Sequence, residues 1–570
     1  VEVVVVGPVD ASNVVAKELE RAVTTLSPGH SAAFRQRAKI AHDALTEHTC
    51  DQRCSADPLG SLLGQLLSAP RLSNPETWAL LWCVGAARLP SNDELEQTLL
   101  AAERGRLDDA AAILVAATRA TDGDDIAYTL TIVEPGTLVV DVTHTYIYAW
   151  LLTGIQRVVR GLVAGLRANA AADGFVLAVT VSPGRQLLLP SAEFDRRLLS
   201  AGETVVASER AGRVRLSNWA VEATIAGLLR LRDRFQRRIR EEERFASSAP
   251  VATARRVLHA LYRHRSRLAA VDLTRVIFAP RARQLVADLA TEPARVETLL
   301  RWRCQLGGRL SVIFYDAIPL THPHYCSEGT VVGYATYVRA LGVTDVAVAI
   351  SETARQSAAA LLALTEGGQG TAVAVPLPVS RVDASVGTTP ELGGAPLILC
   401  VASLEPRKNH VRLLRAAQEL HDEGVDFELM LVGGSGWLSD RIEQAINSCR
   451  LAGVTVQTRR GVSDEQLSGF YARARAVAFV SEVEGYGLPI AEALAHGVPV
   501  VCSDVGSMAE IARDGGCLTV SPFDTAQITD ALRRILVDDD LHRRLVNEAS
   551  SRRDMGGSWE RYAAAVLREI

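Results

Sequence analysis

From about residue 137 onward the chain alternates short β-branched runs with longer helical stretches, and no other feature restricts its fold as much. The runs TLVVDVT, FVLAVTVS, RVIFAP, LSVIFYDAIPL, DVAVAIS and TAVAVPL are spaced by segments such as GIQRVVRGLVAGL and SETARQSAAALLAL, whose apolar residues recur three and four apart. A strand that is apolar on both faces must be covered on both. Strand–helix alternation achieves this with a largely parallel sheet between two helical layers. The pattern pauses at DASVGTTPELGGAP, residues 383–396, a polar stretch with Pro and Gly that reads as a linker. It then restarts with PLILCVASL, FELMLVGG, VTVQTRR, AVAFVS and VPVVCSD. The expected fold is therefore α/β with two doubly wound, Rossmann-like domains, and 570 residues are too many for a single core.

Before residue 120 the pattern is helical, in KELERAVTTL, FRQRAKIAHDALTEH, PLGSLLGQLL, ETWALLWCVGAARL and DELEQTLLAAERGRLDDAAAILVAATRA, with breaks at Pro28-Gly29, Pro58, Pro70 and Pro90. The expected organisation is a mainly helical N-terminal extension over 1–130, a first domain over 131–385 and a second over 386–555. One region departs from the rhythm, a basic helical insertion at about 225–270 in which residues 230–267 carry many arginines and few acids. It reads either as a solvated insertion whose arginines pair with the local EEE run, or as a basic face for anionic lipid or an anionic acceptor.

Net charge is −5, which gives no global reason to expect nucleic acid as a partner. Nine cysteines without dense spacing fit a reducing compartment. No apolar run approaches the ~20 residues that cross a bilayer. The opening VEVVVVG reads as a strand ended by Gly7-Pro8, too short and without the basic leader of an export signal. A cytoplasmic location is expected, with 230–267 as the candidate for peripheral contact at the inner face of the membrane. Cys50 and Cys54, near His48, come closest to metal-ligand spacing, but no second pair follows and no metal is expected there. The Asp-x-Asp in TDGDD, residues 121–125, lies among turn formers and reads as linker.

The chemistry gathers in two loops of the second domain. In ILCVASLEPRKNH the strand ends at Leu404 and Asn409 suits the N-cap of a helix starting near His410, so Arg407 and Lys408 project from the carboxyl end of a strand, where such folds bind ligands. Two adjacent cations near free helix amides suit a phosphate or diphosphate. Lys17, Lys39 and Lys408 are the only lysines among 61 cationic residues, so the compact charge at 408 stands out. The second loop lies in AVAFVS-EVEGYG-LPIAEALAHG, a strand, a loop and a helix with Pro489 in its first turn and Gly497 at its stop. Gly485 and Gly487 allow close backbone approach, leaving amides free for an anion. Glu484 at the loop entrance and Glu492 one turn into the helix can face one cleft. A sugar nucleotide presents two sets of hydroxyls, on sugar and ribose, with a diphosphate between them, so acid, phosphate cradle, acid is the order it needs. An acid in a first helical turn also complements the helix dipole, so Glu492 gains meaning only beside the cation pair.

The stretches LEPRKN (404–409), LVGGSGW (431–437), GVSDEQL (461–467) and SEVEGYGLPIAEALAHGVPVVCSDVGSMAEI (481–511) resemble the retaining glycosyltransferases of family 4, which have the two-domain GT-B fold and a paired-glutamate donor motif. LTGIQRVVRGL (152–162) and FYDAIPLTHPHY (314–325) are similar to the acceptor-side domain, and SWERYAAAVLREI to the terminal helix, here 556–570, that crosses back to it. The resemblance is to bacterial mannosyl- and rhamnosyl-type transferases and spans about 137–570, leaving out the helical extension. It implies that Arg407 and Lys408 bind the diphosphate, that Glu484 lies at the transferred sugar and that Glu492 holds the ribose. It also assigns Gly154, Gly434, Gly485, Tyr486, Gly487 and Leu488 to donor binding. Many members carry His-Asp where this chain has Tyr315-Asp316, which places these two on the acceptor side without a defined role.

The implied activity is retaining, metal-independent transfer of a hexose from GDP-mannose or a UDP- or dTDP-sugar to a glycan or lipid-linked acceptor in cell-envelope or polysaccharide synthesis, with no cofactor. The alternative is a catalytically silent GT-B protein that binds sugar nucleotides or acts as a scaffold, docking partners through the helical extension. A pyridoxal-dependent phosphorylase is disfavoured by the scarcity of lysine. A nicotinamide dehydrogenase is disfavoured because GGSGW does not continue as G-x-G-x-x-G.

Overall fold

Several helices begin where a short polar side chain satisfies free amides. Asn74 caps Pro75–Ala86, and Ser91 with Glu94 forms a reciprocal capping box at Asn92–Glu103. The computed structural model describes residues 8–46, 62, 66, 74–104, 106–120, 128–149, 154–169, 174–199, 273–365, 369–379, 394–434, 436, 438–552 and 557–570. The opening VEVVVVG, the Cys50–Cys54 cluster, the TDGDD segment, the basic insertion and most of the expected linker lie outside these residues. By compactness the chain forms one unit of 1–191 with 274–570, and another of 192–273. Only 192–199 and 273 of the second unit are described, with a π-type turn at Asp195–Leu199.

The first sheet has nine strands: β1 (Thr129–Ile132), β2 (Leu138–Asp141), β3 (Val176–Ser182), β4 (Arg185–Leu189), β5 (Arg275–Phe278), β6 (Arg283–Val286), β7 (Arg309–Phe314), β8 (Val346–Ala349) and β9 (Thr371–Ala374). Their order is β1-β5-β4-β3-β2-β6-β7-β8-β9, parallel except that β4 runs antiparallel to β3 and β5. Strands β1, β4 and β6 were not anticipated from sequence. The last two open with Arg-Gln, which reads as surface. Inside the fold both glutamines are buried, and the Gln284 side-chain amide donates to Gln186 Oε1 at 3.1 Å.

Of the N-terminal helices, Pro28–Thr46 packs on β1 and Pro75–Ala86 on β5, while Pro8–Thr24, Asn92–Glu103 and Leu107–Ala120 pack on the other helices. Arg37 is buried, its guanidinium donating to the carbonyls of Val84, Gly85 and Tyr128. Arg185 and Arg301 likewise donate to the carbonyls of Ala87 and Leu89. The extension is thus tied to the first domain through buried arginines.

The second sheet comprises β10 (Leu397–Val401), β11 (Glu428–Val432), β12 (Val456–Arg459), β13 (Ala476–Phe479), β14 (Val500–Ser503) and β15 (Cys517–Val520). All are parallel, in the order β12-β11-β10-β13-β14-β15. Alternate residues serve opposite cores: Ile398, Leu431 and Ala478 face one helical layer, while Leu399, Met430 and Val477 face the other. The order reverses between β10 and β13, so the loops leaving their carboxyl ends diverge and open a crevice.

The chain ends in the helix Trp559–Glu569, which packs along Gly154–Ala168 of the first domain. A Cβ at Gly161 would lie 2.1 Å from the Trp559 ring, and one at Gly165 would lie 2.1 Å from the Trp559 carbonyl oxygen. Two glycines one turn apart thus make the groove that the terminal helix occupies.

Candidate functional site

The two loops singled out in the sequence leave β10 and β13 on either side of the strand-order reversal. After β10, Leu404 donates its amide to Gly434, and Pro406–Lys408 forms one 3₁₀ turn. Asn409 occupies the N-cap position but does not cap with its side chain, which corrects the sequence expectation. It sits in the left-handed region at φ 61°, and its amide donates to Val480 O at 2.9 Å and Pro522 O at 2.7 Å. This fastens the cationic turn to the end of β13, and the Glu482 amide donating to Arg407 O at 2.8 Å adds a second tie.

The cation pair of this turn meets an acid of the second loop in an ion cluster. Glu484 receives Arg407 Nη1 at 2.7 Å and Lys408 Nζ at 2.6 Å, with all three side chains mostly buried. Burial opposes the charge on Glu484, yet Arg407 and Lys408 outweigh it and hold the carboxyl down to about 2. Burial likewise works against Arg407, but Glu484 and Glu405 raise its pKa. For Lys408 burial wins over Glu484, and its pKa is lowered. Lys408 also sits 5.2 Å from the centre of the Phe479 ring. Glu405 Oε2 also lies 3.2 Å from Arg407 Nε, so the result is two cations held in place by two carboxylates in a mostly buried crevice.

Gly487, at φ 111°, turns the chain into the helix Leu488–Ala495, with Pro489 in its first turn. Gly485 is required for a different reason: a Cβ there would lie 2.5 Å from Tyr315 O and 3.1 Å from the Asp316 Cβ. The first domain therefore touches the motif loop directly. Ser351 donates to Gly485 O at 2.8 Å, the Tyr486 hydroxyl donates to Leu377 O at 3.0 Å, and a Cβ on Gly154 would stand 3.7 Å from Leu488. A Cβ on Gly434, by contrast, would meet nothing within 4 Å. Ser435, which follows it, and Trp437 lie outside the described residues.

Tyr315 is buried and its hydroxyl donates to Ala287 O at 2.6 Å, inside the first domain. Asp316 abuts the crevice within the fields of Arg407, Glu484 and Lys408, and burial pushes its carboxyl up. Glu492 is buried on the motif helix, accepting from Tyr471 Oη at 2.9 Å and from the guanidinium of Arg157.

Arg157, Tyr471, Ser351 and the Tyr325–Glu482 hydrogen bond were not singled out in the sequence. Only Arg157 left a signal there, as a cation one turn into the glycine-opened segment GIQRVV. A second unforeseen cluster lies at the carboxyl ends of β2 and β6. There fully buried Arg295 is 3.0 Å from Asp141 and 2.5 Å from Asp288, with His144 Nδ1 2.9 Å from Glu292 beside it. Among the described residues, no group of three or more His, Cys, Asp or Glu side chains is arranged for a metal ion, and no helix is long and apolar enough to cross a membrane.

Comparison with known proteins finds relatives of part of the chain. The serotype-specific mannosyltransferase WbdA of Escherichia coli is 29% identical over 228 residues, 36% of this chain and 27% of that protein. The O-antigen chain mannosyltransferase B of Escherichia coli is 39% identical over 142 residues, 25% of this chain and 37% of that protein. The chain thus spans about a quarter to two fifths of the length of these relatives. The structure of sucrose-phosphate synthase from Thermosynechococcus elongatus aligns with a TM-score of 0.48 at 18% identity, covering 76% of this chain and 98% of that one. Residues 388–552, which hold both loops and all six strands of the second sheet, match the family described as Glycosyl transferases group 1.

Proposed function

We propose that the protein is a retaining glycosyltransferase that moves a hexose from a nucleoside-diphosphate sugar to a glycan or lipid-linked acceptor. The observation that carries this reading is the convergence of Arg407 and Lys408 on Glu484 at the reversal of strand order. Breaking a glycosidic bond to a diphosphate moves negative charge onto the leaving oxygens. Two preorganised cations in a dry crevice stabilise that charge without reorganising, the role a divalent ion plays elsewhere. The amides of the Gly485–Leu488 loop, at the head of the helix Leu488–Ala495, add donors for the same phosphates. Glu484 then accepts from hydroxyls of the transferred sugar and Glu492 from the ribose.

Retention requires the acceptor oxygen to bond to the anomeric carbon on the face that the diphosphate leaves. As that bond forms and the sugar–phosphate bond breaks, the acceptor proton passes to the departing phosphate oxygen. Contact of the first domain with the motif loop supports a site from which water is excluded while this happens. The two mannosyltransferase relatives support mannose as the sugar and polysaccharide synthesis as the setting. GDP-mannose is accordingly the first donor to test, ahead of UDP- and dTDP-sugars.

The test is release of free nucleoside diphosphate from a panel of GDP-, UDP- and dTDP-sugars in the presence of glycan acceptors, with product anomers assigned by NMR. Turnover that disappears in Glu484→Ala, with an α-configured donor giving an α-linked product, supports the proposal. Binding of sugar nucleotides with no release from any donor would favour a silent sugar-nucleotide-binding protein instead.

A further inference from the structure

Within the candidate site, Glu484 draws its cations from its own domain, whereas Glu492 is held from both sides of the interdomain contact. Its Oε2 accepts from Tyr471 in the second domain, and its Oε1 from Arg157 in the first. The reach follows from how the helices meet. Gly154 opens the first-domain helix against Leu488, which opens the motif helix, so that side chains one turn into each, Arg157 and Glu492, come together. Arg157 also lies 3.5 Å from Asp464, in the first turn of the helix that carries Tyr471.

We propose that Arg157 is a positioning residue through which the first domain sets how tightly Glu492 holds the ribose of the donor. This rests on the reading of Glu492 as the ribose-binding acid. Each carboxylate oxygen accepts more than one hydrogen bond, so Glu492 can keep both protein partners and still accept from the vicinal 2′- and 3′-hydroxyls. With Arg157 withdrawn, the Tyr471 hydroxyl alone orients the carboxylate, which is then free to turn about its bond to Oε2. The diol loses a fixed pair of acceptors and with it the benefit of preorganisation. Ribose recognition in this arrangement is strongest when the first domain is in place, so donor capture and domain contact are coupled through one guanidinium.

The experiment is isothermal titration of GDP and UDP, each against its 2′,3′-dideoxy counterpart, into the wild type, Arg157→Ala, Arg157→Lys, Glu492→Ala and the Arg157→Ala/Glu492→Ala double variant. The Arg157 side chain is 43% exposed, so truncating it opens no core cavity, and thermal unfolding of each variant checks the fold. Expected for Arg157→Ala is about tenfold weaker binding of the ribose form with the dideoxy form unchanged, the loss of one charge-assisted hydrogen bond. Arg157→Lys recovers part of the ribose preference, and the double variant matches Glu492→Ala. Equal weakening of both nucleotide forms in Arg157→Ala, or no weakening, overturns the inference, as does a wild type that binds both forms alike. Failure of the wild type to bind any of these nucleotides refutes the sugar-nucleotide reading itself.

Discussion

Glu484→Gln keeps the shape of the side chain and removes the charge that Arg407 and Lys408 share. The wild-type carboxyl is held at about 2 against an ordinary 4.5. At 1.36 kcal/mol per unit, that difference corresponds to about 3 kcal/mol of favourable interaction with the ionised form. Because the folded-state value is depressed, this contribution is fully present above pH 4.5 and is lost as pH falls through 2. At pH 7 the Gln variant should therefore lose about 3 kcal/mol of local stability around the ends of β10 and β13. Amide hydrogen exchange reads this directly, as about a hundredfold faster exchange of the protected amides in those two strands. The same substitution removes the anion that competes with phosphate for the cations, so inorganic pyrophosphate should bind the variant at least as tightly as the wild type. Release of nucleoside diphosphate from a sugar donor should meanwhile fall about a hundredfold or more. Unchanged exchange, or pyrophosphate binding weakened tenfold, would refute the idea that Glu484 is clamped between these two cations.

Further outcomes follow from close contacts and from burial. In Gly485→Ala a Cβ would lie 2.5 Å from Tyr315 O, so the motif loop or the first domain must shift, and turnover should drop at least tenfold with an unchanged far-ultraviolet circular dichroism spectrum. Gly161→Ala would drive a methyl group into the Trp559 ring. Limited proteolysis should then release the terminal helix, and thermal unfolding should show a loss of about 1–3 kcal/mol. Burial, with Lys408 nearby, lowers the His410 pKa from 6.5 to about 4. The neutral ring thus contributes stability that is complete above pH 6.5 and lost as pH falls through 4, about 3 kcal/mol in all, and His410→Leu should flatten that part of the stability–pH curve. Tyr471→Phe removes one of the hydrogen bonds to Glu492 and should raise the KM for the donor several-fold with little change in kcat.

What the amino-acid order determined by itself is local. Strand and helix alternate because runs such as LILCV and AVAF are apolar at every position and must be covered on both faces, and in the second sheet all of their residues but Val401 are fully buried. The turn into the motif helix was legible because Gly487 and Pro489 act on their own backbone. The cations and the acids were legible as types at loop positions. Their partners were not. Arg407 and Glu484 are 77 residues apart and Arg157 and Glu492 are 335 apart, and no local pattern encodes such meetings. For the same reason nothing local marks Arg37, Arg185 and Arg295 as buried ties, and β4 and β6 were hidden by glutamines that bond to one another. A residue's preference for strand, turn or cap is a matter of its own sterics and its near neighbours. Whether its charge is solvated, paired or aimed into a crevice depends on which distant segments the packing of two sheets brings against it, and only the folded chain decides that.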